Sequence, residues 1–331
     1  MSQEKNLLMI EDLSIQFKTK RGPLKAVSNV TLTIHENESL AVIGESGSGK
    51  TTLASAIVSV LPSSAQITSG KITYLQAGKA VDLLHGSPKQ LRQILWKEIA
   101  MMFQASQSSF NPVKKVRMDF IDTVKAHNPG TSETEILTHA RELLALVLLD
   151  GDRILNAYPH ELSGGMKQRA LIALSLLLEP KLIILDEPTT ALDLLTQDKI
   201  IHLLNKLKVK YRFSYLFITH DLSIVAEMAD TVAVMYGGKI VERARVRDLF
   251  TNPRHPYSFG LIKAIPRLSL EQHQLESIPG NPPDLVTINP GCPFVQRCSN
   301  RLEKCYDQMP GFTPSAQPDH VFACWNPMEG E

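Results

Sequence analysis

The chain has 331 residues and 43% apolar content, enough for one full α/β core and a small appendage. Its 35 Lys and Arg offset 34 Asp and Glu, so the surface lacks the field that draws phosphate backbones, and no nucleic-acid partner is expected. No basic flank leads into a long apolar stretch at the start, and the longest apolar run, near Ala170 to Leu178, falls far short of the roughly 20 residues that span a bilayer; a chain neither exported nor membrane-spanning is expected.

From the N-terminus, Leu7 to Phe17 and Val27 to Ile34 read as short strands, and Ser39 to Ile43 as a strand running directly into a glycine-rich turn. Gly44-Glu45-Ser46-Gly47-Ser48-Gly49-Lys50-Thr51 fits G-x-x-x-x-G-K-[ST], followed by Thr52 and an amphipathic helix from Gly49 to about Val60. Glycines let backbone N–H groups wrap phosphates, and the helix N-terminus adds a favourable dipole. Lys50 neutralises β- and γ-phosphate charge, and the Thr51 hydroxyl is suited to ligate Mg²⁺. ATP is the expected ligand.

Between about 88 and 178 helical periodicity dominates: Ile136, Leu137, Leu143, Leu144, Val147 and Leu148 share one face of a helix predicted over Glu135 to Leu149. Leu162-Ser163-Gly164-Gly165-Met166-Lys167-Gln168-Arg169 opens a further helix through Leu178, with Ser163 as its cap and two glycines exposing N–H donors. One nucleotide needs one such loop; a second implies that each site is completed by another subunit.

The apolar runs Leu182 to Leu185, Tyr215 to Ile218 and Val232 to Met235 lack polar alternation, as central parallel strands do, and a helix from Thr196 to about Val209 separates the first two. The first run ends in Asp186-Glu187-Pro188, two carboxylates at the carboxyl end of a buried strand. Side chains diverge on an extended backbone, which assigns Asp186 to Mg²⁺ and Glu187 to the attacking water. After about residue 250 Pro253, Pro256, Pro266, Pro279, Pro282, Pro283, Pro290 and Pro293 break long elements, and a domain boundary is expected there, between 1–250 and 251–331. All four cysteines, Cys292, Cys298, Cys305 and Cys324, lie in this tail; with no C-x-x-C pair, their chemistry leaves zinc and an iron–sulfur cluster both open.

The phosphate loop, LSGGMKQR and LIILDEPTTALD, in this order, resemble the nucleotide-binding domain of the ABC ATPase superfamily over about residues 5 to 250. The resemblance implies an α/β P-loop NTPase core of ABC type with an N-terminal antiparallel β subdomain, a helical insert and a small cysteine-containing C-terminal extension. It further implies that Ser163, Gly164 and Gly165 contact the γ-phosphate of ATP held by a partner subunit and that Asp193 bridges the dimer. His220, in Phe217-Ile-Thr-His220-Asp221, would hold the γ-phosphate and water. Gln104 would sense Mg²⁺ and water, and Phe17 would stack on adenine beside Val27, although a core role explains Phe17 as well.

The tail, with His255-Pro256-Tyr257 and Ile278-Pro-Gly-Asn-Pro-Pro283, is similar to the C-terminal extension of dipeptide, oligopeptide and nickel permease ATPases, which implies a [4Fe-4S] cluster at the four cysteines, shielded by Phe294 and Trp325. The implied partners are a second, related but different ATPase chain, two transmembrane permease subunits and, indirectly, a substrate-binding protein. The implied place is peripheral, on the cytoplasmic face of the inner membrane. One departure stands out: after Gln104 the family has an acidic residue or Asn and then Pro, whereas here Ala105 and Ser106 precede Ser108-Ser-Phe-Asn-Pro112. A soluble ABC ATPase of DNA repair needs a longer insertion between Thr51 and Ser163 than this chain has, and translation types need two cassettes. A P-loop kinase gives no reason for LSGGMKQR.

Overall fold

The computed structural model describes residues 5–76, 78–103, 109–189, 193–264 and 278–329. The chain divides into two compact units, 1–84 with 218–331, and 85–217.

The first unit opens with β1 (Asn6–Thr19) and β2 (Gly22–His35), an antiparallel pair closed by a two-residue turn, Thr19 lying opposite Gly22. Both strands run further than their apolar centres suggest, because backbone pairing carries the polar stretch around Lys18 and Lys25. Next come β3 (Ser39–Ile43), buried throughout, and α1 (Lys50–Ile57), then β4 (Ala65–Gln76) and β5 (Lys79–Asp82). One antiparallel sheet results, in the order β2-β1-β4-β5, which is the expected N-terminal β subdomain.

The second unit holds α2 (Pro88–Ile94), β6 (Ile99–Met102), α3 (Val116–His127), α4 (Glu133–Leu146), α5 (Gly151–Asn156), α6 (Gly164–Leu176), β7 (Leu182–Asp186) and α7 (Leu194–Tyr211). The chain then passes into β8 (Ser214–Thr219). Capping boxes start two of these helices: Ser87 with Gln90 for α2, and Ser132 with Glu135 for α4. β6 and β7 pair in parallel, as their unbroken apolar character implies. α6 is buried from Ala170 to Leu176 on every side, so it carries no amphipathic stripe. α4 stops earlier than its apolar pattern: Leu148 adopts a positive φ of 57° and is 74% exposed, leaving the face expected of it.

The first unit resumes with α8 (Leu222–Met228), β9 (Thr231–Tyr236), β10 (Lys239–Arg245), α9 (Val246–Thr251), α10 (Pro256–Lys263), β11 (Thr313–Pro314) and β12 (Val321–Phe322). Within it β11-β12-β10-β9-β3 run side by side, with β3 and β9 parallel and the others antiparallel. The tail is tied to β10 by a buried charge: the Glu242 carboxylate accepts from the Arg254 and His255 amides at 2.7 and 2.8 Å and contacts His320 Nε2 at 2.7 Å. A buried carboxylate needs such partners, and here they come from residues up to 78 positions away. Among the described residues no helix is long and apolar enough to cross a membrane.

Candidate nucleotide site and cysteine cavity

β3 delivers the phosphate loop and α1 receives it. Two of its glycines are required by geometry. Gly44 (φ 151°) and Gly49 (φ 104°) leave no room for a side chain: a Cβ would sit 2.0 Å from the Met235 carbonyl oxygen and 2.1 Å from that of Ala26. Gly47 stands exposed at a positive φ of 79°, and Ser46 is exposed beside it. Lys50 is buried, and its ammonium donates to the carbonyl oxygens of Gly44 (2.8 Å) and Glu45 (2.9 Å), so the loop curls around the cation. Ser48 is buried, Thr51 exposed and Thr52 half-buried in the first turn of α1, which has no acidic residue there and no side chain capping it. Such a helix start presents bare N–H donors and a positive dipole end to an anion.

Of the adenine candidates, Phe17 is half-buried on β1 opposite Leu24 and Ala65, while Val27 is fully buried. His220 follows β8 exposed, one residue before Asp221, whose carboxylate caps α8 by accepting from the Ser223 amide.

In the second unit β7 ends on Asp186, which is 1% exposed. The extended backbone stops there: Glu187 adopts a left-handed φ of 49° and is half-buried. Glu187 therefore lies in a turn beyond the strand, not on the extended backbone expected for both carboxylates. A non-glycine residue held so typically costs about 1–3 kcal/mol and concentrates at functional sites.

Ser163 caps α6, its hydroxyl accepting from the Met166 amide at 3.3 Å, and Gly164 and Gly165 form the first turn. Arg169 ties this turn down: its guanidinium donates to the carbonyl oxygens of Gly165 (3.3 Å), Val147 (3.4 Å) and Leu148 (3.1 Å). The early end of α4 exposes those carbonyls, so the sequence pattern hid this role. Asp193 caps α7, accepting from the Thr196 amide at 3.0 Å and hydroxyl at 2.7 Å, and the Thr196 methyl would meet a Cβ on Gly165 at 3.2 Å. Asp193 and the serine–glycine turn thus share one surface, joined by Thr196, a residue that no motif marked. Gln104 and Thr190 to Leu192 lie outside the described residues.

The four cysteines line one small cavity in the first unit, with Phe294, Val295, Pro310, Trp325 and His255 among its walls. Burial pushes the Cys292 thiol up to about 12 and Cys324 up to about 11, and each feels other cysteines of the set. Phe294 is buried, whereas Trp325 is 38% exposed and forms the rim. Among the described residues no three His, Cys, Asp or Glu side chains close on the position of a single ion.

The cysteine loop also reaches the phosphate loop, which sequence reading missed. Arg297 Nη1 donates to Glu45 Oε2 at 2.7 Å and to the Tyr236 hydroxyl at 3.0 Å, and the Glu45 amide donates to the Tyr257 hydroxyl at 2.8 Å. No spacing rule links positions 252 apart.

Comparison with known proteins agrees with this geometry. The family model described as "ABC transporter" matches residues 27–190, and "Oligopeptide/dipeptide transporter, C-terminal region" matches residues 241–305. The dipeptide transport ATP-binding protein of Caldanaerobacter subterraneus is 44% identical over 318 residues, 96% of each chain. The oligopeptide transport ATP-binding protein of Salmonella typhimurium is 38% identical over 98% of this chain and 94% of its own. A solved dimeric ATP-binding cassette in a post-hydrolysis state, bound to ADP and Pi, matches with a TM-score of 0.64 and 26% identity, over 73% of this chain and 99% of that one. With a buried lysine inside a glycine loop, a second capped glycine turn and relatives that match from end to end, this chain is an ATPase that belongs to the ABC transporter family, among its dipeptide and oligopeptide transport ATP-binding proteins.

Proposed function

We propose that the chain hydrolyses ATP to drive uptake of di- or oligopeptides through two separate permease subunits, working from the cytoplasmic face of the inner membrane beside a related but different ATPase chain. A substrate-binding protein feeds the permease. The observation that carries this reading is the pair of anion-binding helix starts, one at Lys50 and one at Gly164, each lacking an acidic residue in its first turn. The second gives reason for a composite site in which Ser163, Gly164, Gly165 and Asp193 serve the nucleotide of the partner chain. Relatives named for dipeptide and oligopeptide transport support the cargo class.

In the catalytic cycle the loop from Gly44 to Thr52 binds the triphosphate, and Lys50 balances its charge. Glu187 orients the attacking water and takes its proton, His220 holds the γ-phosphate, and Phe17 faces adenine. Thr51, Asp186 and Gln104 are the residues that would hold Mg²⁺, which would neutralise phosphate charge. Asp186 is a buried carboxylate at the strand end, the donor type that a hard divalent cation takes.

Cys292, Cys298, Cys305 and Cys324 are assigned to a [4Fe-4S] cluster. What speaks for this reading is that all four thiols line one cavity. Bound there, the cluster supplies a covalent cross-link among four loop positions. Purification from membranes under anaerobic conditions tests the whole reading: two permease subunits should accompany the chain, and proteoliposomes should accumulate peptide only with ATP. Zinc with no membrane partner would contradict it.

A further inference from the structure

The phosphate loop is held from within by Lys50 and, from the far end of the chain, by Arg297. Arg297 lies one residue before Cys298 with its side chain 6% exposed. Its guanidinium uses all three nitrogens: Nη1 to Glu45 Oε2 and the Tyr236 hydroxyl, Nε to the Pro279 carbonyl at 2.7 Å, and Nη2 to the Ile278 carbonyl at 3.2 Å. Gly280, at a φ of 79°, packs against the Arg297 stem, and the rings of Tyr236 and Phe294 lie 5.7 and 5.8 Å from the guanidinium carbon. Glu45 is thereby held at three points. Arg297 grips its carboxylate, the fully buried Tyr257 accepts from its amide, and its carbonyl accepts from Lys50.

From this geometry we infer that Arg297 is a positioning residue of the nucleotide site, acting through Glu45 to hold the phosphate loop in the shape that accepts ATP. The inference rests on the ATPase reading above. Two physical effects act in one direction. A loop pinned before binding loses less conformational entropy when phosphates arrive. A paired Glu45 carboxylate also presents no uncompensated negative charge to an anionic ligand. Both act on binding, since Arg297 reaches the site only through Glu45. Removing the grip therefore raises KM for ATP more than it lowers kcat.

The test uses the complete transporter, with steady-state ATPase rates and titration by a fluorescent ATP analogue. Arg297→Ala should raise KM and the analogue's Kd about tenfold while kcat falls less than threefold, and Arg297→Lys, which keeps the charge and loses the fork, should recover part of the loss. Glu45→Ala leaves the other three Arg297 bonds intact, so the extension stays folded; it loses the anchor but leaves no unpaired carboxylate, so it should raise KM by less than Arg297→Ala does, and the double variant should be no worse than the worse single. KM within about twofold of wild type in either single variant overturns the inference, as do multiplicative effects in the double variant or a loss of rate that tracks loss of folded protein. A wild-type transporter without ATP turnover would instead refute the ATPase reading.

Discussion

Thr196 donates its hydroxyl to Asp193 at 2.7 Å while its methyl packs beside Gly165, so the start of α7 and the serine–glycine turn of α6 form one surface. The hydroxyl and amide of Thr196 hold the Asp193 carboxyl below the usual carboxylate range. The sign follows directly: a depressed folded value stabilises the fold above the ordinary value of 3.8, and that contribution is lost as pH falls through the lower folded value. Asp193→Ala should lower the thermal midpoint at neutral pH. Asp193→Asn should keep the cap and flatten the acid limb of the melting profile, as differential scanning fluorimetry from pH 3 to 7 would record.

Gly49→Ala places a Cβ 2.1 Å from the Ala26 carbonyl oxygen at a φ of 104°, where backbone must move. A loss of about 1–3 kcal/mol in stability is expected from strain of this kind, with ATP binding lost at any accessible concentration. Chemical denaturation and nucleotide titration read the two effects separately.

Arg169→Met keeps the stem and removes three donors to carbonyl oxygens at the end of α4 and the start of α6. A hydrogen bond to a charged group contributes about 1.5–3 kcal/mol, but these three are long and Leu148 is exposed, so water replaces much of what is lost and a net loss of about 2 kcal/mol in denaturant unfolding is expected.

Cys292→Ser should strip the cavity of one of its buried thiols. Anaerobically purified wild-type protein should carry about four iron and four sulfide per chain, and the variant less than about a quarter of that by iron and acid-labile sulfide assay. Equal metal in both would contradict the assignment.

Much of this was readable in the residues because short-range chemistry demanded it. A turn that must present N–H groups to phosphate needs glycine at Gly44 and Gly49, and β3 and β7 announce themselves by unbroken apolar runs. The strand extensions of β1 and β2 were hidden, since backbone pairing gives polar residues no distinguishing pattern. Leu148 is deceptive for the opposite reason: its apolar side chain fits the helical period, yet α4 ends at Leu146 and Leu148 turns out at a positive φ, 74% exposed. The left-handed turn at Glu187 follows from no local residue preference, and the link from Arg297 to Glu45 needs the fold itself.

The most direct test of the central claim is ATP turnover by Glu187→Gln in the complete transporter. Glutamine keeps size and hydrogen bonding but cannot take a proton, so ATP binding should stay within about threefold of wild type while hydrolysis falls by about a hundredfold or more. Near-normal turnover would contradict the role given to Glu187, and with it the catalytic reading of the turn at the end of β7.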